Sequence, residues 1–370
     1  MKKLKIFSFF AGSGFLDLGF EKSGFQIEFV NEFLESFINA YKYSRKKMKI
    51  AEPTYGFANC DVNLFLGERE KELKQEIKAS REGGHYVGFI GGPPCPDFSV
   101  AGKQKGKDGN NGRLSQSYID LIKKQKPDFF LFENVKGLWQ TAKHRAYYEE
   151  LKDELRKAGF YLTDRLTNAL EFGAPQDRYR ILLFGVHKSI CPQKKDPTQK
   201  FDWEKFMVHS MDEIKEIQWP SVEDFSKDSI SQCPKGIPLD LTVQHWFEKN
   251  DVNNHPNAKD HFIPRNGLVR MKTIKEGDDS KKCYKRIHRW RYSPTACYGN
   301  NEVHLHPYKE RRLSVAETLA IQSLPKNFCL PPDMTLTDKF KTVGNGVPYV
   351  LAEGIAKTIA DFFNEVIINA

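Results

Sequence analysis

The sequence predicts an α/β fold in which a doubly wound, parallel sheet is accompanied by a second, smaller module. Short apolar runs alternate with charged, amphipathic stretches through the first half of the chain, which is typical of strands joined by crossover helices. This alternation fades near Lys188, where Asn, Pro, Asp and Lys become frequent. Helical periodicity returns at Ser314–Gln322 and at Val347–Val366. A chain of 370 residues is long enough for one large α/β domain and a smaller unit.

The candidate strands are short apolar runs bounded by turn residues or charged segments: Leu4–Phe10, Phe25–Val30, Val87–Ile90, Phe129–Phe132 and Ile181–Val186. The change of character near Lys188 sets the predicted domain division. Residues 1–187 form the first domain, residues 188–334 the smaller domain, and residues 335–370 a segment that returns to the first domain.

Composition excludes several classes of protein. A hydrophobic content of 39%, with 13% aromatic residues, is enough to form a folded core. No run of about 18 apolar residues is present and the N-terminus does not resemble a signal peptide, so we expect a cytoplasmic protein without a membrane segment. The 7 cysteines contain no C-x-x-C pair, which argues against a zinc site and against a disulfide framework.

The excess of positive charge is concentrated in one segment. The net charge is +9, which is a weak indication of a polyanionic partner. Lys259–Thr295 holds 11 Lys and Arg residues against 4 Asp and Glu, whereas Lys188–Ala258 holds 9 against 12. The second half of the smaller module is therefore the candidate surface for a polyanion.

A glycine-containing turn directly follows the first candidate strand. Residues 10–15 read Phe-Ala-Gly-Ser-Gly-Phe, and the two glycines let the backbone approach a ligand at the carboxyl edge of a sheet. A dinucleotide fingerprint would have a third glycine where this chain has Asp17, so pyrophosphate binding is disfavoured. Glu32 lies 20 residues after Gly12 at the tip of the second strand, where an acidic residue suits ribose hydroxyls. A purely structural turn and a surface glutamate are the alternatives.

Other reactive side chains follow later strands in the same way. Cys95 comes after the run Val87–Ile90, and Glu133 comes directly after Phe129–Phe132. The carboxyl ends of parallel strands share one edge of the sheet, where ligands bind. We therefore expect the glycine turn, Glu32, Cys95 and Glu133 to converge, although about 120 residues of sequence separate the first from the last.

Cys95 has two interpretations. A lone cysteine is most often an inert core residue. Prolines at 93, 94 and 96 place this one in a stiff turn, which is a poor position for a packing residue. The glycine-rich, basic loop 102–113 follows; it could close over a phosphate backbone and favour the thiolate, or it could be an ordinary solvated loop.

Taken together, seven motifs in order resemble those of the cytosine-C5 DNA methyltransferases of bacterial restriction–modification systems, from Phe7 to about Ile359. They are residues 10–14, Asn31-Glu32 with Asp61, residues 93–99, residues 133–135, residues 176–180, residues 311–314 with Glu317 and Gln322, and residues 344–348. The chain departs from the family pattern at Ser8, where Asp is usual, at Phe15, where Gly is common, and at Pro96, where Gln is frequent. None of these departures removes a reacting group.

The resemblance implies an enzyme with an S-adenosylmethionine-dependent methyltransferase (Rossmann-like) sheet and a target-recognition domain. It would transfer a methyl group from S-adenosylmethionine to C5 of a cytosine flipped out of duplex DNA. The implied catalytic residues are Cys95, which adds to C6, protonated Glu133 at N3, Arg180 at O2, and Arg178, which holds a phosphate or the Cys95 loop. Burial beside an apolar strand is expected to raise the pKa of Glu133.

The same resemblance implies the cofactor contacts. The ribose would lie on Glu32. The adenine would lie near Phe10, Phe33, Asp61 and Val62, with Leu114 lining its pocket, and the methionine end near Gly12, Gly14 and Asn345. The complete predicted set is Phe10, Ala11, Gly12, Ser13, Gly14, Phe15, Glu32, Phe33, Asp61, Val62, Gly92, Pro94, Leu114 and Asn345.

Double-stranded DNA is the implied partner, and the region from about Lys188 to Glu310 takes the place of the family's target-recognition domain. The predicted DNA contacts are Ser99, Lys103, Lys105, Lys281, Lys282, Lys285, Arg286, Arg289 and Arg291, with a solvated charged face as the alternative. The histidines clustered in this module lack metal-ligand spacing, so no metal is expected and we interpret them as polar surface or DNA contacts. We expect a monomer, linked to a cognate restriction endonuclease in function only.

Three competing functions remain at this point. A tRNA cytosine-C5 methyltransferase would share the motifs, but that branch normally has a smaller recognition module. A catalytically silent DNA-binding protein is disfavoured by the intact set Cys95, Glu133, Arg178 and Arg180. A thiol hydrolase is disfavoured because no histidine motif pairs with Cys95 and the cofactor motifs would have no role.

Overall fold

The computed structural model describes residues 2–94, 110–191, 195–264, 267–281, 283–295, 298 and 303–368. Its strands are β1 Leu4–Phe9, β2 Gln26–Asn31, β3 Phe57–Ala58, β4 Tyr86–Gly91, β5 Phe129–Val135, β6 Phe160–Asn168, β7 Tyr179–His187, β8 Lys285–Arg286 and β9 His304–Leu305. Its α-helices are α1 Phe15–Lys22, α2 Glu35–Met48, α3 Glu70–Ser80, α4 Asn110–Gln125, α5 Gly137–Gln140, α6 Ala142–Lys157, α7 Met211–Glu216, α8 Val243–Lys249, α9 Leu268–Thr273, α10 Val315–Ile321, α11 Leu336–Asn345 and α12 Tyr349–Phe362.

Seven of the described strands form one sheet in the order β3-β2-β1-β4-β5-β7-β6. Strands β3, β2, β1, β4 and β5 run parallel, so the predicted α/β class and the doubly wound sheet are confirmed. The strand predicted at Ile181–Val186 lies within β7, which runs antiparallel to β5 and to β6. The prediction of a parallel strand there is wrong, because a short apolar run carries no information about direction and only about ten residues connect β6 to β7.

Helices cover both faces of the sheet. One apolar layer contains α1 and α12, and the other contains α3, α4 and α6. Helix α12 lies directly on α1, where Gly19 meets the backbone of Ala352 and a Cβ would lie only 2.5 Å from its carbonyl carbon. The end of the chain thus packs against the helix that follows the glycine turn. None of the helices in the described ranges is long and apolar enough to cross a membrane.

The region predicted to form the smaller module contains buried histidines. His255, His288, His304 and His306 are all buried. Burial lowers the pKa of each of these imidazoles, to about 4 for His288 and His306 and to about 3 for His304. The interpretation of these four histidines as polar surface or DNA contacts is therefore wrong, because they are interior side chains.

Candidate active site

The glycine turn, residues 10–15, leaves β1 at the carboxyl edge of the sheet in an unusual backbone conformation. Phe10, Gly12 and Gly14 all have positive φ, at +53°, +57° and +76°. A bulky residue such as Phe10 rarely adopts this region, and such residues cluster at functional sites. Among the residues that the structure describes, apart from Gly12 itself and its two neighbours in the chain, no atom lies within 4 Å of the position that a Cβ on Gly12 would take, so this part of the turn presents bare backbone.

Glu32 is bonded to this turn, as the shared edge of the sheet predicts. Its carboxylate accepts hydrogen bonds from the Gly12 N–H and the Leu34 N–H, both at 2.8 Å. Burial raises the pKa of Glu32, and the backbone N–H groups oppose that rise. The next side chain, Phe33, is 66% exposed, while its carbonyl accepts from Asn59 at 2.8 Å. A fixed carboxylate therefore stands beside a free aromatic face.

The next loop adds Asp61 and an apolar wall. Asp61 is exposed and accepts from the Asn63 N–H at 2.8 Å, which caps a short helix, Val62–Leu66. Val62 is buried in the apolar layer that Phe10 and Leu114 also contact. The predicted adenine contacts therefore lie on adjoining elements at the end of β1, β2 and β3.

Glu133, near the end of β5, is buried beside the start of the predicted nucleophile loop. Its carboxylate pairs with the Arg180 guanidinium at 2.7 Å (Oε1 to Nε). A Cβ on Gly92 would lie 2.5 Å from the other carboxylate oxygen, so only glycine leaves room for Glu133 here. Burial raises the pKa of the Glu133 carboxyl, although the charges of Arg180 and Arg178 act in the opposite direction. Burial thus moves this carboxyl toward the protonated acid that chemistry at N3 requires, while the neighbouring arginines favour the carboxylate.

Arg178 and the C-terminal turn, residues 344–346, are joined. The fully buried Arg178 donates to the Gly344 carbonyl at 2.6 Å and to the Gln176 side chain at 3.3 Å. Asn345 is exposed at the end of α11. A Cβ on Gly346 would overlap the ring of Phe15. The phenylalanine that this chain has at position 15, where the family commonly has glycine, is therefore accommodated by the glycine at position 346.

Two contacts of the glycine turn were missed by sequence reasoning. Ser13 and Thr342 share a hydrogen bond between hydroxyl groups at 2.7 Å, which ties the turn to α11. Arg45, from α2, donates to the Gly14 carbonyl at 2.6 Å. Arg45 is followed by two lysines and resembles a solvated helix end, so no local signal could have singled it out.

Several predicted residues lie outside the described part of the chain: Cys95, Ser99, Lys103, Lys105 and Lys282. Pro94 is the last described residue before Cys95 and is exposed. Gly92 places the start of this loop against Glu133, and Pro93 is buried. Ala11 donates its N–H to the Asn31 carbonyl at 3.1 Å, so the predicted cofactor turn is also attached to β2.

Two of the predicted DNA contacts are buried in the interior of the predicted smaller module. Arg286 is fully buried and donates to the carbonyls of Met271, Ile274 and His306. Arg289 pairs with the buried Glu276 at 2.7 Å. Neither guanidinium can reach a phosphate in this arrangement, so both predictions are corrected: these arginines hold the module together.

Three other predicted DNA contacts in the described part of the basic segment are accessible, and this segment connects to the edge of the sheet that carries Arg178 and Arg180. Lys281 is exposed, and Lys285 and Arg291 are partly exposed. Two residues beyond Arg291, Ser293 accepts the Asp177 N–H through its carbonyl at 2.9 Å. The basic segment is therefore continuous with the motif that carries Arg178 and Arg180.

Comparison with known proteins decides the family. The model of the C-5 cytosine-specific DNA methylase family matches residues 4–361.

The chain belongs to the C-5 cytosine-specific DNA methylases.

A Type II methyltransferase of Neisseria meningitidis serogroup C, M.NmeDI, is 56% identical over 362 residues, which cover 98% of this chain and 84% of that protein. Another, M.MthTI of Methanothermobacter thermautotrophicus, is 29% identical and covers 96% of this chain and 97% of its own length. The chain is thus a DNA cytosine-C5 methyltransferase, and S-adenosylmethionine is its methyl donor.

Two solved structures have the same fold as this methylase. A prophage-encoded DNA modification methyltransferase from E. coli superposes with a TM-score of 0.67 at 23% identity, covering 98% of this chain and 100% of that one. The DNMT2 protein of Spodoptera frugiperda, in a mutant form, superposes with a TM-score of 0.59 at 14% identity and covers 98% of this chain and 100% of its own. The predicted S-adenosylmethionine-dependent methyltransferase sheet is confirmed.

Proposed function

We propose that this methylase modifies cytosine within one specific duplex sequence, through a covalent adduct between Cys95 and the flipped base. The observation that carries the proposal is the position of Glu133. It is a buried carboxyl group with a raised pKa, paired with Arg180 and touching the glycine at which the Cys95 loop begins. When a thiolate adds to C6 of the cytosine, a neutral acid at this position can protonate N3.

The glycine turn and its neighbours fit S-adenosylmethionine. Bare backbone at Gly12, the buried carboxylate of Glu32 and the exposed ring of Phe33 offer close approach, hydroxyl recognition and an apolar surface for adenine. Asp61 and Leu114 would complete the adenine side, and Asn345 would lie at the methionine end. When bound, the cofactor supplies an electrophilic methyl group.

The chain's own residues prepare the base for that methyl group. The Cys95 thiolate forms a bond to C6, which moves electron density toward N3 and C5. Glu133 gives its proton to N3, while Arg180, already paired with Glu133 at 2.7 Å, balances the charge left on the carboxylate and reaches O2. After C5 has been methylated, water takes its proton and the Cys95 thiolate leaves C6. The proton on N3 then returns to the Glu133 carboxylate, which restores the aromatic ring and the starting acid.

Arg178 has a different role in this scheme. Its bond to the Gly344 carbonyl holds the C-terminal turn against β7. We infer that it orients the turn that carries Asn345.

The smaller module, residues 188–334, would select the DNA site. Lys281, Lys285 and Arg291 are the accessible cations that would contact phosphates or bases, and the bond between Ser293 and Asp177 carries this segment to the catalytic motif. We also propose that the protein acts as a cytoplasmic monomer that protects DNA from a cognate endonuclease. The whole-length relatives called Type II methyltransferases support that role over tRNA modification.

Bisulfite sequencing tests the proposal. The chain is expressed in bacteria that lack other cytosine-C5 methyltransferases, and genomic DNA and tRNA are both sequenced. We expect one cytosine within a single short DNA sequence to be protected from conversion, and no protection in the Glu133→Ala variant. Protection confined to tRNA, or protection unrelated to DNA sequence, would contradict the proposal.

A further inference from the structure

A cluster of buried polar side chains lies beneath the glycine turn and has no part in the proposed chemistry. Its members come from β1, α1 and α2: Ser8, Asp17, Glu21, Tyr41 and Arg45. Asp17 and Tyr41 are fully buried, and Arg45 is only 2% exposed. Charged side chains are rarely buried this deeply, because removing a charge from water is costly. A specific role for the buried guanidinium is therefore worth seeking.

Arg45 and Tyr41 form the floor of the turn. One guanidinium nitrogen of Arg45 (Nη2) donates to the Gly14 carbonyl at 2.6 Å. A Cβ on Gly14 would overlap the Tyr41 ring and would lie 2.8 Å from the same nitrogen. Gly14 is thus required by this close approach as well as by its φ of +76°.

Each group in the cluster fixes the next. The Nε of Arg45 pairs with Glu21 at 2.7 Å, and the guanidinium stacks 4.2 Å from the centre of the Tyr41 ring. The Tyr41 hydroxyl donates to Asp17 at 3.0 Å, and the Ser8 hydroxyl donates to the other Asp17 oxygen at 2.8 Å. Burial raises the pKa of Asp17, and that of Glu21 to about 7, so the cluster need not hold two full negative charges.

Three successive residues of the turn are therefore fixed by different elements. Gly12 is bonded to Glu32 at 2.8 Å, Ser13 to Thr342 at 2.7 Å and Gly14 to Arg45 at 2.6 Å. Glu32 stands at the ligand side of the turn, whereas Arg45 bonds to it from the interior. Loss of Arg45 would free the Gly14 carbonyl and leave the turn to sample other conformations.

We propose that Arg45, held by Glu21 and by the Tyr41 ring that Asp17 fixes in place, is a positioning residue for S-adenosylmethionine. It acts through the Gly14 carbonyl and fixes the turn in the shape that the cofactor meets. The inference rests on the proposed use of this turn for the cofactor. It also gives Ser8 and Asp17 a joint role, as the two ends of the hydrogen bond that anchors the cluster to β1.

The test compares two buried arginines that both donate to backbone carbonyls. Arg45→Met is compared with Arg286→Met, which lies in the smaller module, by calorimetric titration with S-adenosylmethionine, by Tm and by steady-state kinetics. We expect Arg45→Met to raise the Kd and the KM for the cofactor by about tenfold or more and to leave kcat at saturating cofactor within about threefold. Arg286→Met should lower Tm without changing the cofactor Kd.

A cofactor Kd for Arg45→Met within about twofold of the wild-type value would overturn the inference. Failure of the wild-type protein to bind the cofactor at all would instead refute the proposed function on which it rests.

The other end of the cluster gives a test that does not depend on the folding of Arg45→Met. Ser8→Asp places two carboxyl groups in contact and should raise the cofactor Kd by about fivefold or more. Adding Asp17→Ser exchanges the two ends of the hydrogen bond and should recover at least half of the lost cofactor affinity. An unchanged Kd in Ser8→Asp, or no recovery in the exchange, would contradict the joint role.

Discussion

Replacing Glu32 by alanine removes an acceptor on which two backbone donors of the proposed cofactor site depend. The carboxylate takes the N–H groups of Gly12 and Leu34, both at 2.8 Å, and is buried. A hydrogen bond to a charged group contributes about 1.5–3 kcal/mol. Water can hydrogen-bond to the freed N–H groups of an exposed turn, which offsets part of the loss. We therefore expect cofactor binding to weaken by about 1–3 kcal/mol. That is a rise of about 5-fold to 150-fold in the Kd for S-adenosylmethionine.

Calorimetric titration measures this Kd directly, with Glu32→Gln and Glu28→Gln as companions. Glutamine keeps one acceptor, so the cofactor Kd of Glu32→Gln should lie between those of the wild type and the alanine variant. Glu28 is buried on the same strand, where it pairs with Lys5 at 3.2 Å, and its replacement changes a buried charge away from the ligand edge. The reasoning is refuted if Glu32→Ala binds the cofactor as tightly as Glu28→Gln does.

Three further results are expected. Because burial raises the pKa of Glu133 and the protonated acid is the active form, kcat should fall as pH rises through that raised pKa; a kcat that is flat or rises with pH would exclude Glu133 as the acid. Neutralising Lys281 and Lys285 should weaken binding to all DNA sequences alike and reduce the salt dependence by about one unit per lost phosphate contact, measured by titrations at several salt concentrations. Arg289→Ala should instead destabilise the fold by about 3–5 kcal/mol in denaturant unfolding, since it leaves a buried carboxylate unpaired; a loss of DNA affinity at unchanged stability would restore its predicted contact.

The sheet was largely predictable because its parallel strands are buried on both faces and appear as short apolar runs. Strand β6 was not predicted, since most of its side chains are only partly buried and it carries Asp164 and Arg165. The two-residue β3 is too short to leave a pattern. The direction of β7 depends on the length of a connection rather than on its own residues.

The shared position of the candidate site residues was predictable to the extent that the ends of parallel strands lie at one edge of the sheet. That rule brought together the glycine turn, Glu32 and Glu133, because each lies just beyond a recognisable run. It could not find Arg45, which reaches the turn from a helix. In the basic segment, the sequence predicted DNA contacts for residues that are in fact buried. A run of cations has the same sequence pattern whether a member is exposed, as Lys281 is, or buried, as Arg286 is.

The covalent step at Cys95 is tested most directly by trapping. Fluorine at C5 cannot leave as a cation, so duplex DNA with 5-fluorocytosine at the target position should form a complex with the protein that survives denaturation. The complex should require S-adenosylmethionine for full accumulation, be absent in Cys95→Ala, and yield on digestion a cross-linked peptide that contains Cys95. Normal turnover on the fluorinated DNA, or a cross-linked peptide without Cys95, would contradict the account.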